Sequence, residues 1–173
     1  MELSNSYEFS FIMYEAVDRN GHIRNILYKF KSTKSNTWYI VYVEQYKYNV
    51  FILKFYPKNW RFSKRKYQLL TNTHEPRRII GTCINIALSV LEEYPDASFG
   101  FIGANRENED TCETKRYKVY STIIATWFSE KRFYHKENKE KSAYLLINNI
   151  AIEQNPSLVK EIENFFTCRY MLD

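Results

Sequence analysis

The first third of the chain alternates between apolar and polar residues, the period expected of strands that bury one face. Over residues 7–17 this alternation puts one set of large apolar side chains on a common face, namely Tyr7, Phe9, Phe11, Met13 and Val17. The pair Asn20-Gly21 follows, and both residues tolerate the positive φ angles of a tight hairpin turn. The pattern therefore predicts two antiparallel strands, over 7–17 and 23–31, joined by this turn.

Two more alternating segments follow, over residues 38–44 and 50–56, with a turn predicted at 46–49. Consecutive alternating strands with short connections are typical of an antiparallel meander. Pro57 ends the fourth strand, because proline cannot donate to a central ladder. After a basic connection, residues 67–71 are predicted to form a short fifth strand.

The apolar period then changes to three and four residues, which predicts an amphipathic helix from Pro76 to just before Pro95. A buried strand is expected at 98–104. A second helix is expected to begin at a capping box formed by Asp110 and Glu113.

A strand at 143–147 and a last helix starting at Asn155-Pro156 complete the order. The sequence thus predicts one α+β domain over residues 1–173, with residues 1–6 disordered. In this fold an antiparallel β-meander is followed by β-α-β-α-β-α, and the helices pack on one face of the sheet.

Composition narrows the class of protein further. Aromatic residues make up 17% of the 173 residues, which excludes a disordered linker, and only 4 glycines leave little room for a Gly-rich phosphate loop. The three cysteines lack paired spacing, no export signal or membrane-spanning run is present, and no metal-ligand or cofactor motif occurs. We therefore expect a cytoplasmic protein with no cofactor and no metal.

The positive charge is concentrated in one segment. Residues 45–78 hold nine basic side chains and one acidic side chain, whereas the rest of the chain is slightly acidic and the total net charge is +5. A field concentrated in this way attracts polyanions more strongly than the total charge suggests.

Aromatic side chains are interleaved with the basic ones in this segment, a combination that suits unpaired nucleic acid because cations neutralise phosphates and rings stack on bases. Arg77 and Arg78 add the start of a helix, where backbone N–H groups also favour an anion. The sequence therefore predicts a binding protein that contacts nucleic acid or another polyanion without catalysis. The candidate residues are Lys58, Trp60, Arg61, Phe62, Lys64, Arg65, Lys66, Arg77 and Arg78.

Two other interpretations of the segment stay open. In the first, Trp60 and Phe62 are buried against the sheet and the lysine side chains are solvated without binding a ligand. The same field would also attract an acidic protein, as in a protein-interaction component of the toxin–antitoxin or phage-defence type.

The element order from Tyr67 to Ile147 resembles the carboxyl half of the GNAT acetyltransferases. The residues that carry this resemblance are Arg78-Ile79-Ile80-Gly81-Thr82-Cys83, similar to the family's [RQ]-x-x-G-x-[GA] loop at a helix start. The resemblance implies that backbone amides there cradle the pyrophosphate of acetyl-CoA. It also implies Tyr120 as a general acid.

A second, looser resemblance covers residues 7–147. It rests on Tyr7-Glu8-Phe9-Ser10-Phe11, Leu70-Thr71-Asn72, Glu93-Tyr94-Pro95 and Arg116-Tyr117-Lys118-Val119-Tyr120. On these residues the chain resembles a bacterial family of small cytosolic α+β proteins with no established activity. This resemblance implies a fold but no function.

Overall fold

The computed structural model describes residues 5–67, 74–102, 112 and 114–171. Within these residues, seven strands form one sheet in the order β1-β2-β3-β4-β5-β7-β6, so the predicted α+β class with an antiparallel amino-terminal meander is confirmed. The strands are β1 (Phe9–Arg19), β2 (His22–Ser32), β3 (Thr37–Tyr46), β4 (Val50–Pro57), β5 (Ser98–Ile102), β6 (Phe133–Asn138) and β7 (Ala143–Asn148). The helices are α1 (Pro76–Glu93), α2 (Lys115–Trp127), α3 (Asn149–Gln154) and α4 (Leu158–Met171).

The predicted turn between the first two strands is present. Asn20 and Gly21 have φ angles of 49° and 79°, the left-handed conformations that a tight hairpin of this kind needs. The predicted fifth strand is not observed at Tyr67, which lies in a turn, and residues 68–71 of that prediction lie outside the described residues.

The connection from β4 to β5 is the one parallel crossover among the described strand pairs. The two strands pair over Val50–Ile52 and Ser98–Gly100 only, and α1 runs between them along the chain. A side chain at Gly100 would collide with that of Ile52, so glycine permits the close approach of these strands. Beyond Ile52, β4 continues to Pro57, and among the described residues this part of the strand pairs only with β3.

The helices cover the two faces of the sheet unequally. One hydrophobic cluster joins α1 and α2 to strand residues such as Ile26, Val43 and Leu146, as predicted. A second cluster joins Leu158, Ile162 and Phe166 of α4 to Val50 and Ile52. Because neighbouring strand residues point to opposite faces, Phe51 of the first cluster and Ile52 of the second show that α4 packs on the other face. The prediction that all helices share one face is therefore wrong for α4.

The alternation predicted for the first strand is broken by a β-bulge. Phe11 pairs with Tyr28 and Met13 pairs with Leu27, so Ile12 is an extra residue without a partner position on β2. The bulge shifts the pattern by one residue, and Phe11 and Tyr14 share a face with their rings 4.9 Å apart. Met13 accordingly lies on the face opposite to the one predicted.

Three features of the carboxyl half differ from expectation. The sequence pattern predicts neither β6, which is a short, half-exposed edge strand, nor α3, which is a single short helix before the predicted last one. The cap of α2 is Thr114, whose hydroxyl accepts from the Tyr117 N–H at 3.1 Å. Asp110 and Glu113, the predicted capping box, lie outside the described residues.

The amino terminus is fastened to α1 by buried polar contacts. Tyr7 donates its phenol to the Glu75 carboxylate, and Ser32 donates to the other Glu75 oxygen at 2.7 Å. The Tyr7 N–H donates to Thr82 Oγ1 at 2.9 Å, and Asn85 donates to Ser6. Residues 1–4 of the segment expected to be disordered lie outside the described residues, whereas Ser6 has this ordered partner.

Replacing Tyr7 with phenylalanine should destabilise the fold by about 1–3 kcal/mol, because a buried carboxylate loses a donor. Urea unfolding followed by circular dichroism measures this. Tyr48→Phe is the matched control, since Tyr48 is exposed and its loss should change stability by less than about 0.5 kcal/mol. Equal stability of the two variants would contradict a stabilising role for the Tyr7–Glu75 contact.

Candidate nucleic-acid interface

The face of the sheet opposite α1 and α2 carries rows of lysine and aromatic side chains. Directly opposed residues on adjacent strands share a face. The pairings therefore give one row of Lys31 and Trp38, a second of Lys29, Ile40 and Tyr56, and a third of Leu27, Tyr42 and Lys54. We call these eight residues the basic–aromatic face. α4 packs on the same side of the sheet, against the ends of β4 and β7 that lie beyond these rows.

Trp38 is the exposed aromatic residue of this face. Its side chain is 40% exposed, and the ammonium groups of Lys29 and Lys31 lie 5.6 and 5.9 Å from its ring. These two lysines come from the neighbouring strand, alternate in sequence, and therefore stand on the same face as the indole. The arrangement offers one flat apolar surface bordered by two positive charges.

The connection after β4 continues the positive surface over β3 and β4. Its first turn, Lys58–Trp60, contacts β3, and by Lys66 the chain lies over the sheet, with the Lys66 ammonium 4.3 Å from the Tyr56 ring and 5.8 Å from the Tyr42 ring. Burial, together with the neighbouring Tyr42 hydroxyl, raises the pKa of Tyr56 to about 12. Tyr56 is therefore neutral at physiological pH.

Two acidic groups on this side of the sheet are already engaged. The Glu44 carboxylate pairs with Lys54 at 3.0 Å and accepts from the Tyr46 hydroxyl, and Glu15 accepts from the Asn25 amide at 2.6 Å. Within the described part of the chain, a further set of cations forms no ion pair, namely Lys29, Lys31, Lys58, Arg61, Lys64 and Lys66. This charge is available to an external anion.

The nine residues singled out from the sequence do not form one surface. Five are exposed in the connection after β4, namely Lys58, Arg61, Phe62, Lys64 and Arg65, while Trp60 and Lys66 are half-buried. Phe62 is 84% exposed, with the Arg61 guanidinium 4.5 Å from its ring. Of the two rings predicted to stack on bases, Phe62 is thus more accessible than Trp60.

Arg77 and Arg78 lie apart from that connection, in the first turn of α1. Arg77 is exposed, whereas the Arg78 guanidinium lies 4.0 Å from the Tyr7 ring, against the Glu75 cluster. Since α1 packs on the face opposite to the basic–aromatic face, these arginines and Lys66 belong to different sides of the sheet. Arg78 therefore packs against Tyr7 and is not part of the basic–aromatic face.

Sequence reasoning missed Lys29, Lys31 and Trp38. These residues lie outside the basic segment and look like the solvated positions of ordinary strands. The available signal was the short connection between β2 and β3, which places Lys31 opposite Trp38 once the hairpin register is drawn.

The features that resemble an acetyltransferase occupy different surroundings from those the resemblance implies. Gly81, Thr82 and Cys83 are buried inside α1 rather than in a loop before it, so their backbone amides belong to the helix. Tyr120 packs against Phe55, and burial raises its pKa above the ordinary tyrosine value.

A separate cavity of about 550 Å³ lies between α4 and the strands β4 to β7. Its floor includes Ile52, Gly100 and Leu145, and its rim carries Lys136 and Glu163, which pair with each other at 2.9 Å. This ion pair neutralises the two rim charges that it joins.

Comparison with models of known protein families, with curated proteins and with solved structures gives no significant match to this chain. Among the described residues, none of the helices combines the length and the apolarity needed to cross a bilayer. In the same ranges, no three His, Cys, Asp or Glu side chains cluster closely enough to hold a metal ion.

The cysteines should differ sharply in reactivity. Burial raises the pKa of Cys83 to about 12, whereas Cys112 and Cys168 are exposed. Because the thiolate is the reactive form, titration of the native protein with a disulfide reagent at mildly alkaline pH should modify two thiols quickly. The third should react only in denaturant, and rapid reaction of all three in the native protein would contradict the buried position of Cys83.

Proposed function

We propose that this protein is a small cytosolic binding protein whose basic–aromatic face, with the adjoining connection 58–67, binds single-stranded nucleic acid without catalysis. The observation that carries the proposal is the exposed indole of Trp38 bordered by the ammonium groups of Lys29 and Lys31. Phe62 and Arg61 form a second exposed pair of the same kind.

The chemistry of these pairs supports a nucleic-acid ligand. Every base has a flat face that can stack on an aromatic side chain, while the phosphates on either side of the base need cations nearby. Lysines that border the ring meet both requirements without reading the sequence of the ligand. We therefore expect low sequence specificity and strong dependence on salt.

The shape of the face favours a single strand over a duplex. Stacking on Trp38 needs a base that is free of its partner, and a sheet surface with half-buried Tyr42 and buried Tyr56 is too flat to enter a groove. Lys58 and Lys64 in the adjoining connection are exposed, so their positive charge extends the binding surface beyond the length of one nucleotide.

Trp38→Ala should weaken binding of a labelled oligothymidine by roughly 5- to 150-fold, because loss of one stacking platform costs about 1–3 kcal/mol. Fluorescence anisotropy at low ionic strength measures this. Wild-type affinity should also fall steeply with added salt, since binding releases condensed counterions.

Trp127→Ala is the matched control for this experiment. Trp127 has the same 40% exposure as Trp38 but lies at the end of α2, on the other side of the sheet, so its loss should leave affinity within about twofold. Equal weakening by the two variants, salt-insensitive binding, or no binding at low ionic strength would each contradict the proposal. Capture of an acidic protein together with failure to bind oligonucleotide would point to the alternative role.

Acetyl-CoA binding is a second candidate, favoured by the parallel pair β4 and β5 with its α1 crossover. In sheets with such crossovers, ligands bind outside the carboxyl ends of the parallel strands, near the start of the following helix. This candidate predicts that acetyl-CoA at about ten times its dissociation constant raises the thermal midpoint by roughly 3 to 5 °C. Inorganic pyrophosphate serves as the control for simple anion binding, and an unchanged midpoint in millimolar acetyl-CoA would exclude the candidate.

A further inference from the structure

The two edges of the sheet are built differently. Edge strands expose unpaired backbone groups, and proteins protect them with short strands, lysines or prolines. β6 follows this rule, since it has six residues and includes Lys136 and Glu137. β1 has eleven residues and contains no lysine or proline, and within the described residues it is paired on one side only, with β2.

The β1 edge also carries a continuous run of exposed apolar side chains. Phe11, Ile12, Met13 and Tyr14 are between 38% and 49% exposed, a run of four consecutive large hydrophobic residues. Tyr14 is already held in place, with its ring 4.9 Å from that of Phe11 and 4.6 Å from the Arg24 guanidinium. An ordered aromatic edge loses little side-chain freedom when a partner strand packs against it.

We propose that β1 pairs with β1 of a second copy of this chain, in antiparallel orientation, to form a dimer with a continuous sheet. The bulge at Ile12 selects the register, because paired residues must point to the same face. With the two-fold axis between Ile12 and Met13, Phe11 of one copy lies opposite Tyr14 of the other, and Ser10 lies opposite Glu15.

This register agrees with the faces that the bulge creates. Phe11 and Tyr14 both point towards the α1 side, as their pairing with Tyr28 and Ile26 shows, while Ser10 and Glu15 both point to the opposite side. Two aromatic cross-strand pairs then form symmetrically about the axis. A shift of one residue in one direction would place Glu8 opposite Asp18 and set like charges against each other twice. A shift in the other direction would place Phe9 opposite Glu15, which point to different faces.

Charge on the whole molecule favours the same edge. Two copies with a net charge of +5 repel each other, and the repulsion is strongest where the positively charged residues 45–78 of the two copies face each other. β1 carries Glu15 and Asp18 against Arg19, so its edge lacks the positive excess of that segment. Pairing through β1 therefore does not bring the two 45–78 segments into direct contact, because β2 and β3 lie between β1 and β4.

The dimer is tested by sedimentation equilibrium on nuclease-treated protein, from low micromolar to several hundred micromolar. We expect wild-type protein to shift from the 20.9 kDa monomer to twice that mass, and Met13→Lys to weaken the association at least tenfold. Tyr134→Lys on β6 is the matched control, with 44% exposure at the other edge, and should dimerise like wild type. Protein that stays monomeric throughout, or a dimer unaffected by Met13→Lys, overturns the proposal.

A cross-link tests the register without altering an apolar residue. Ser10→Cys and Glu15→Cys are made as two separate proteins, each also carrying Cys112→Ser and Cys168→Ser. Mild oxidation of the mixture should give a disulfide-linked dimer in high yield, whereas each protein alone should give little. Absence of the mixed dimer, or equal cross-linking of each protein alone, overturns the pairing. Because no nucleic acid takes part, these outcomes are independent of the proposed function.

Discussion

Unequal coverage of the two sheet faces is the constraint on which the rest of the structure depends. An apolar sheet face must be covered, and α1 and α2 together cover one face from β2 to β7, burying Ile26 at one side and Leu146 at the other. On the other face α4 packs against Tyr46, Val50 and Ile147, near the ends of β3, β4 and β7. The remaining rows need side chains that shield the strands and still tolerate water. Lysine, tryptophan and tyrosine meet this need, because each combines an apolar body with a polar tip.

The placement of α1 decides which face stays open, and buried polar contacts fix that placement. Glu75 at the start of α1 accepts from Tyr7 before β1 and from Ser32 at the end of β2, so three segments that are distant in sequence meet at one carboxylate. A buried carboxylate without such partners would be strongly destabilising, and the contacts are therefore specific to this one docking of the helix. The same docking turns Arg78 towards Tyr7 and away from the lysines of the other face.

Local periodicity predicted the elements that have one buried and one exposed side. The four strands of the meander, the Asn20-Gly21 turn and α1 were predictable for this reason, since their apolar spacing is decided within the segment. β6 was not, because Phe133–Asn138 is a short edge strand with a single buried residue and five polar or half-exposed ones. The bulge at Ile12 leaves no signature in an apolar run such as Phe11 to Met13. The candidate site was only half predictable. The concentration of positive charge identified residues 58–66, whereas Lys29, Lys31 and Trp38 come together only through the pairing of β2 with β3.

The proposed function and the proposed dimer are related through the geometry of a sheet. In antiparallel pairing of two β1 strands, the two-fold axis stands perpendicular to the sheet, so the same face of both copies points in the same direction. The two basic–aromatic faces would then lie side by side with only the β1 strands between them, and the two Trp38 side chains would be separated by β1 and β2 of each copy. A strand of nucleic acid that binds Trp38 of one copy could continue to Trp38 of the other, and the second contact would be intramolecular. Association through the strand edge thus adds affinity for a long ligand without any new contact on the face itself, and a short oligonucleotide would gain nothing from it.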